Sequence, residues 1–293
     1  MFVVTGATGK VGGGIAEKLL ADGKQVRAVG RNREKLAALE KQGAEIALGN
    51  MEDAVFLAKN FVGAEAVFAM VPPDMATPDV QAHYDRFGSA IAKAIAESGV
   101  RYVVHLSSLG AHLDKGNGPI AGLHRQELRL NALSGVNVLH LRAGYFMENL
   151  YGSIGMIKSM GINGSPMIAD LKFPQIATAD IAAHAALRMV KKDFTGNSVQ
   201  ELLGPRDISM KEATTALGKA IGKPELPYVQ FPYEDALKAM MGMGLSQSIA
   251  ASFVEMNKGF NEGTLGKATR TAANTTPTTI ETFAQQFARA YSG

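Results

Sequence analysis

The sequence predicts an α/β fold: a doubly wound parallel sheet followed by a smaller, mainly helical C-terminal region. Three observations carry this expectation. Over the first 150 residues, short β-branched runs alternate with longer helical patterns, the rhythm of parallel strands joined by crossover helices. A glycine-rich turn, Thr5-Gly6-Ala7-Thr8-Gly9-Lys10-Val11-Gly12, follows the first strand directly. Finally, Gly23, Gly43, Gly99 and Gly135 each stand just past a helical pattern, where a left-handed residue closes the last turn.

Strands are expected at residues 2–5, 25–29, 45–48, 66–71, 102–106 and 136–141. The helices between them fall at 11–22, 33–42, 52–59, 79–98 and 120–132. Six strands in this order place a ligand at the carboxyl edge of the sheet, over the point where strand order reverses. After Phe146 the rhythm changes to a helical stretch and then a segment punctuated by Gly, Ser and Pro, from Gly161 to Pro174. A helix at 178–190 and a strand at 198–203 are expected to return to the sheet. From Ser209 the pattern is mainly helical and rich in Met (Met240, Met241, Met243, Met256). That richness reads as helical core packing, with an adaptable substrate pocket as the alternative.

Composition removes several function classes. The 293 residues carry 30 basic and 27 acidic side chains, a net charge of +3 with no concentrated basic block, so nucleic acid is not an expected partner. There is no cysteine, which excludes disulfides, thiolate metal sites and a cysteine nucleophile. The six histidines are scattered, no metal site is expected, and His105 and His140 read as core or edge residues of strands. Met1-Phe2-Val3-Val4 enters a strand at once without a basic leader. No apolar run approaches the roughly 18–20 residues that span a membrane. A cytoplasmic protein that does not engage membranes is the expectation, as a monomer or homodimer.

The glycine turn has a physical purpose. In Gly6-x-x-Gly9-x-x-Gly12, the first glycine permits the tight turn and the second lets backbone approach a diphosphate. The third lets the helix lie close to the strand. The helix start then offers unpaired N–H groups to the anion. Gly6, Thr8, Gly9, Lys10, Val11 and Gly12 are therefore candidate dinucleotide contacts in a Rossmann arrangement. Gly13 and Gly14 prolong the run at a cost to the helix of roughly 1 kcal/mol each relative to Ala, so something must approach the backbone there. Residues 1–150 form the expected NAD(P)-binding domain and 151–293 a substrate region, with 178–203 rejoining the sheet. About 20 residues beyond the turn the chain reads Val29-Gly30-Arg31-Asn32-Arg33-Glu34-Lys35. Arg31, aided by Arg33 or Lys35, suits the 2′-phosphate of NADP(H) where a carboxylate would suit NAD. The alternatives are an ordinary solvated helix start and use of NAD(H) as well.

The turn and its Arg31 resemble those of the NmrA-like group of atypical short-chain dehydrogenases. The likeness continues in Val104-His105-Leu106-Ser107-Ser108-Leu109-Gly110-Ala111, in Leu141-Arg142-Ala143-Gly144-Tyr145-Phe146-Met147-Glu148-Asn149, and in Thr178-Ala179-Asp180-Ile181-Ala182. The resemblance implies an NADPH-dependent reductase of a small conjugated acceptor such as a quinone or dye. The group also holds regulators that bind NADP(H) without turning it over and act through a protein partner. It further implies Met70, Val71 and Pro72 along the adenosine side, and Gly144, Tyr145 and Phe146 near the nicotinamide. The Tyr-x-x-x-Lys pair of short-chain dehydrogenases is absent, since none of the seven tyrosines has Lys four residues on. By pattern, His124 stands near the tyrosine position and Leu128 near the lysine. His124 is then a candidate general acid, with a helical His bonded to a neighbour as the alternative. Ser107 or Ser108 is a candidate for bonding substrate or nicotinamide ribose, with turn capping as the alternative. Glu127 reads as solvated or capping, and Glu148 and Asn149 as caps of the helix they open.

Overall fold

A computed structural model describes residues 1–293. In its first half, strands β1 (Phe2–Val4), β2 (Val26–Gly30), β3 (Glu45–Leu48), β4 (Ala66–Ala69), β5 (Tyr102–Ser108) and β6 (Asn137–Ala143) alternate with helices. These helices are α1 (Lys10–Ala21), α2 (Arg33–Lys41), α3 (Ala54–Phe61), α4 (Val80–Ser98) and α5 (Ile120–Asn131). There follow β7 (Tyr145–Phe146), a 3-10 helix (Met147–Ser153), α6 (Ile154–Met160), β8 (Asn163–Ser165), β9 (Lys172–Ile176), α7 (Thr178–Lys191) and β10 (Asn197–Leu202). The chain ends with β11 (Asp207–Ser209), α8 (Met210–Ala220), β12 (Tyr228–Gln230), α9 (Tyr233–Gly242), α10 (Gln247–Asn261) and α11 (Ile280–Ser292).

Seven strands form one parallel sheet in the order β3-β2-β1-β4-β5-β6-β10, the doubly wound arrangement expected from the rhythm. Strand β10 pairs with β6 from Asn197 to Leu202. The period-2 pleat sends alternate residues of a strand to opposite faces. Phe2 and Val4 pack on one face with Val11, Ile15 and Leu19 of α1, Leu36 of α2 and Ile181 of α7. Val3 packs on the other with Leu57 and Phe61 of α3, Ile91 and Ile95 of α4 and Leu130 of α5. A third core, under α8, α10 and α11, gathers Phe173, Leu217, Phe260, Phe283 and Phe287. No helix is long and apolar enough to cross a membrane.

Two details sharpen the sequence reading. Gly14 is explained by packing: a Cβ there would come within 3.0 Å of the Ala182 methyl on α7, so α1 and α7 approach closely, whereas a Cβ on Gly13 would meet Ala7 O of the turn at 3.2 Å. From Tyr145 onward, in contrast, the chain contains β7, β9 and β11 as a three-stranded sheet and β8 paired with β12. Strands of two to five residues are too short to show an alternating pattern above the turn residues around them.

His105 and His140 are fully enclosed between the sheet and α5, as expected for core residues. Their Nδ1 atoms lie 3.0 Å apart and His140 Nε2 lies 2.9 Å from Asn131 Oδ1. Asn131 Oδ1 only accepts, so His140 carries its proton on Nε2 and accepts from His105 Nδ1–H. Burial holds both rings neutral, driving His105 well below the usual imidazole value and His140 down to about 4. Nearby Glu127 and Arg142 pull His140 in opposite directions. The unfolded chain takes up protons near pH 6.5, whereas the folded pair does not until far lower. The stability gained from keeping the rings neutral is therefore full above pH 6.5 and lost as pH falls toward 4. Melting temperature is expected to fall across that window, with a shallower fall in His140→Gln; an unchanged slope in the variant would sink this account.

Candidate functional site

The glycine turn leaves β1 with Gly6 at φ +64°, in the left-handed region open to glycine. Gly9 N–H donates to Gly6 O at 2.9 Å, closing the turn. Gly9 is also the N-cap of α1, which has no side-chain cap and no acidic residue in its first turn. Asn32, Asp53, Asp79 and Ser209 cap α2, α3, α4 and α8 with their side chains, whereas α5, α6 and α9, like α1, have no side-chain cap. The first N–H groups of α1 thus face the carboxyl edge of the sheet with no protein acceptor. Thr8, Gly9 and Lys10 are exposed, and Val11 and Gly12 are buried beneath them. A diphosphate suits this cradle through the backbone itself, whose free N–H groups at a helix start are anion donors.

Neighbouring strand ends extend the site. Thr8 Cγ2 approaches the end of β2 at Gly30, so Arg31, the next residue, stands beside the turn. Arg33 is engaged by Glu40 at 2.5 Å, whereas Arg31 and Lys35 are exposed. On the other side, Met70 reaches over Gly6 with its sulfur. Val71 is buried, and Pro72 O accepts from His83 Nε2 at 2.7 Å, which fixes the exit of β4. His83 was not singled out in the sequence. Its only signal was a histidine on the buried face of α4.

The carboxyl ends of β5 and β6 differ most from expectation. Both serines belong to β5. Ser107 is buried and donates its one proton to Glu127 Oε1 at 2.5 Å, while Ser108 is half-buried and donates to Leu109 O. Glu127 is not solvated: it is 4% exposed and takes two bonds from Arg142, at 3.0 Å from Nε and 2.6 Å from Nη2. That contact raises the Arg142 guanidinium above its usual value. The reason is helix phase. Ile120, Gln126, Glu127 and Leu130 of α5 face inward, and Leu128, one step on, is 56% exposed and points away from the sheet. His124 is half-buried with Nδ1 2.9 Å from Ala111 O, which places the ring proton on Nδ1 and leaves Nε2 without a protein partner.

Beyond β6, Gly144 lies so near β9 that a Cβ would meet Pro174 O at 2.8 Å. Tyr145 and Phe146 then point opposite ways. Phe146 packs on the α1/α7 core. Tyr145 sets its ring edge-on to Phe173 and Phe260 at 5.6 and 6.4 Å. Burial pushes the Tyr145 hydroxyl up to about 12, with Tyr228 adding to the shift and Asn149 opposing it. Glu148 caps a different helix from the one it opens. Its carboxylate accepts from Thr178 N at 3.0 Å and Thr178 Oγ1 at 2.6 Å, at the start of α7. Strand pairing brings these pieces to one edge, since Val4 is level with Phe68, Ala69 with His105, and Ser108 with Ala143.

A sequence model of the NmrA-like family matches residues 1–284. The chain belongs to the NmrA-like family. Within reach of this family, an NAD(P)H azoreductase from Xenophilus azovorans is 28% identical over 100% of this chain and 98% of its own. Quinone oxidoreductase 2 of Escherichia coli is 26% identical over 90% of each chain. The crystal structure of an Escherichia coli NADPH-dependent quinone oxidoreductase complexed with NADPH superposes with a TM-score of 0.81. It is 24% identical and covers 98% of this chain and 99% of that one. The NmrA-like assignment agrees with the resemblance drawn from the turn, the β5 and β6 ends and the start of α7.

Proposed function

We propose that this protein is an NADPH-dependent reductase that passes hydride to a small conjugated acceptor such as a quinone or an azo compound. The observation that carries the proposal is the uncapped, glycine-built start of α1 with exposed Arg31 beside it. Similarity to an NAD(P)H azoreductase and to a quinone oxidoreductase supports the acceptor class. When bound, the reduced nicotinamide supplies the hydride.

The chain's own residues bind and orient. Gly6, Thr8, Gly9, Lys10, Val11 and Gly12 surround the diphosphate. Arg31, with Lys35, takes the 2′-phosphate, and Met70, Val71 and Pro72 follow the adenosine side. Gly144, Tyr145 and Phe146 lie toward the nicotinamide, with Tyr145 walling the region of residues 151–293 that receives the acceptor. Ser107, the other candidate, has its proton held by Glu127, so its hydroxyl can offer a ligand only an acceptor. His124 Nε2 is the candidate proton-handling atom. A quinone or azo acceptor needs little more, because the charge it gains delocalises and water can protonate it. A cytoplasmic location and a monomeric or homodimeric state belong to the same proposal.

The test is a screen of quinones and azo dyes followed by the loss of NADPH absorbance. Tight NADPH binding without oxidation by any acceptor would reject the reductase reading. Arg31→Ala is expected to weaken NADPH binding about 10- to 100-fold, the worth of charge-assisted hydrogen bonds of about 1.5–3 kcal/mol. NADH binding should stay within about twofold. Equal losses for both cofactors would remove Arg31 from the 2′-phosphate.

A further inference from the structure

Lys10 is the first residue of α1 and is exposed at the mouth of the turn. Its ammonium lies 4.9 Å from the centre of the Tyr151 ring, within the range of cation–π attraction. Tyr151 belongs to the 3-10 helix after β7, and its ring is itself held. It stacks on Phe287 of α11 at 5.8 Å with the planes 9° apart, and leans on Phe283 at 5.3 Å. Phe283 and Phe287 are completely buried. Lys10 forms no ion pair, and Glu148, which after burial raises the Tyr151 hydroxyl, is itself spent on the start of α7. A cation is therefore steadied by a neutral ring instead of a carboxylate, beside a helix start that lacks an acceptor.

A carboxylate partner would neutralise Lys10 and compete with a phosphate for it. An aromatic face does neither: it narrows the freedom of a long side chain while leaving its charge unspent. We propose, building on the reading of this edge as the dinucleotide cleft, that Lys10 is a side-chain ligand of the diphosphate and that Tyr151 is its positioning residue. The diphosphate is common to NADPH, NADH and ADP-ribose, so Lys10 reads all three alike, whereas Arg31 reads the 2′-phosphate alone. The ring ties this contact to α11 and hence to the C-terminal core that borders the acceptor region.

The test is calorimetric titration with ADP-ribose, which carries the diphosphate and lacks both nicotinamide and 2′-phosphate, alongside NADPH. Lys10→Met is expected to weaken both about tenfold, by the same factor, and to flatten the salt dependence of ADP-ribose binding. Tyr151→Phe keeps the ring and should bind as the wild type does. Tyr151→Leu should lose about threefold, and should lose nothing further when Lys10→Met is already present. Wild-type affinity for ADP-ribose in Lys10→Met overturns the proposal. So does an equal loss from Tyr151→Leu with and without Lys10, which would make the ring a packing element only. A wild-type chain that binds neither ligand fails the cleft reading itself, and the proposal falls with it. NADPH binding that survives while Lys10→Met has no effect fails the proposal alone.

Discussion

Gly12→Ala is expected to weaken NADPH binding more than 100-fold while leaving a folded protein. The added methyl would sit 2.4 Å from Gly6 O, 2.7 Å from Gly6 C and 2.8 Å from Thr5 O, all of them backbone. No rotamer change relieves such an overlap, so α1 must lift from β1 and carry its first N–H groups away from the cradle. Losing two charge-assisted bonds to the diphosphate amounts to about 3 kcal/mol or more, hence the factor. The strain itself costs about 1–3 kcal/mol of stability, so a modest drop in melting temperature should accompany the lost binding. Fluorescence titration with NADPH and a thermal melt read the two effects separately. Near-normal affinity would mean that the diphosphate does not use the start of α1.

Glu127→Ala is expected to be the most destabilising single change beneath the site. It strips Arg142, whose side chain is only 18% exposed, of its bidentate partner and leaves the Ser107 hydroxyl without its acceptor. Breaking a buried pair by removing one member costs about 3–5 kcal/mol, because the remaining charge stays desolvated. For a chain of this size that is a fall of roughly 10 °C in melting temperature. Glu127→Gln, which can still accept from Arg142, should lose much less. If alanine and glutamine at 127 melt together, the charge pair contributes nothing and the carboxylate matters only for its shape.

The fold was legible because its signals are strong where they are local. The glycine spacing, the helix-ending glycines and the β-branched runs each follow from backbone geometry; they place the first six sheet strands and their crossover helices, and the run at 198–203 places the seventh, β10. The place of Arg31 beside the turn was legible for the same reason, as a single residue at a position fixed by strand and turn. Glu127 was not, because its role depends on helix phase relative to Ser107 and Arg142, which lie 20 and 15 residues away. A carboxylate among Arg125, Gln126 and Arg129 reads as solvent-facing until the helix is placed against the sheet. His83 on Pro72 and Tyr151 under Lys10 escaped for a similar reason, since neither pairing leaves a local pattern. The opposite facing of Tyr145 and Phe146 depends on a two-residue strand that no periodicity can announce.

Helices α1 and α7 pack side by side on the same face of the sheet, and each carries the chain back from the strands' carboxyl edge toward the next parallel strand. Their positive ends therefore open in the same direction, as two adjacent lures for an anion. Glu148 fills one of them with a carboxylate that never leaves. On the reading proposed above, a diphosphate arriving at this pair of helices meets one open positive end, at α1, because that of α7 is filled. On that reading the internal carboxylate would serve the cofactor without touching it, by silencing the wrong landing place.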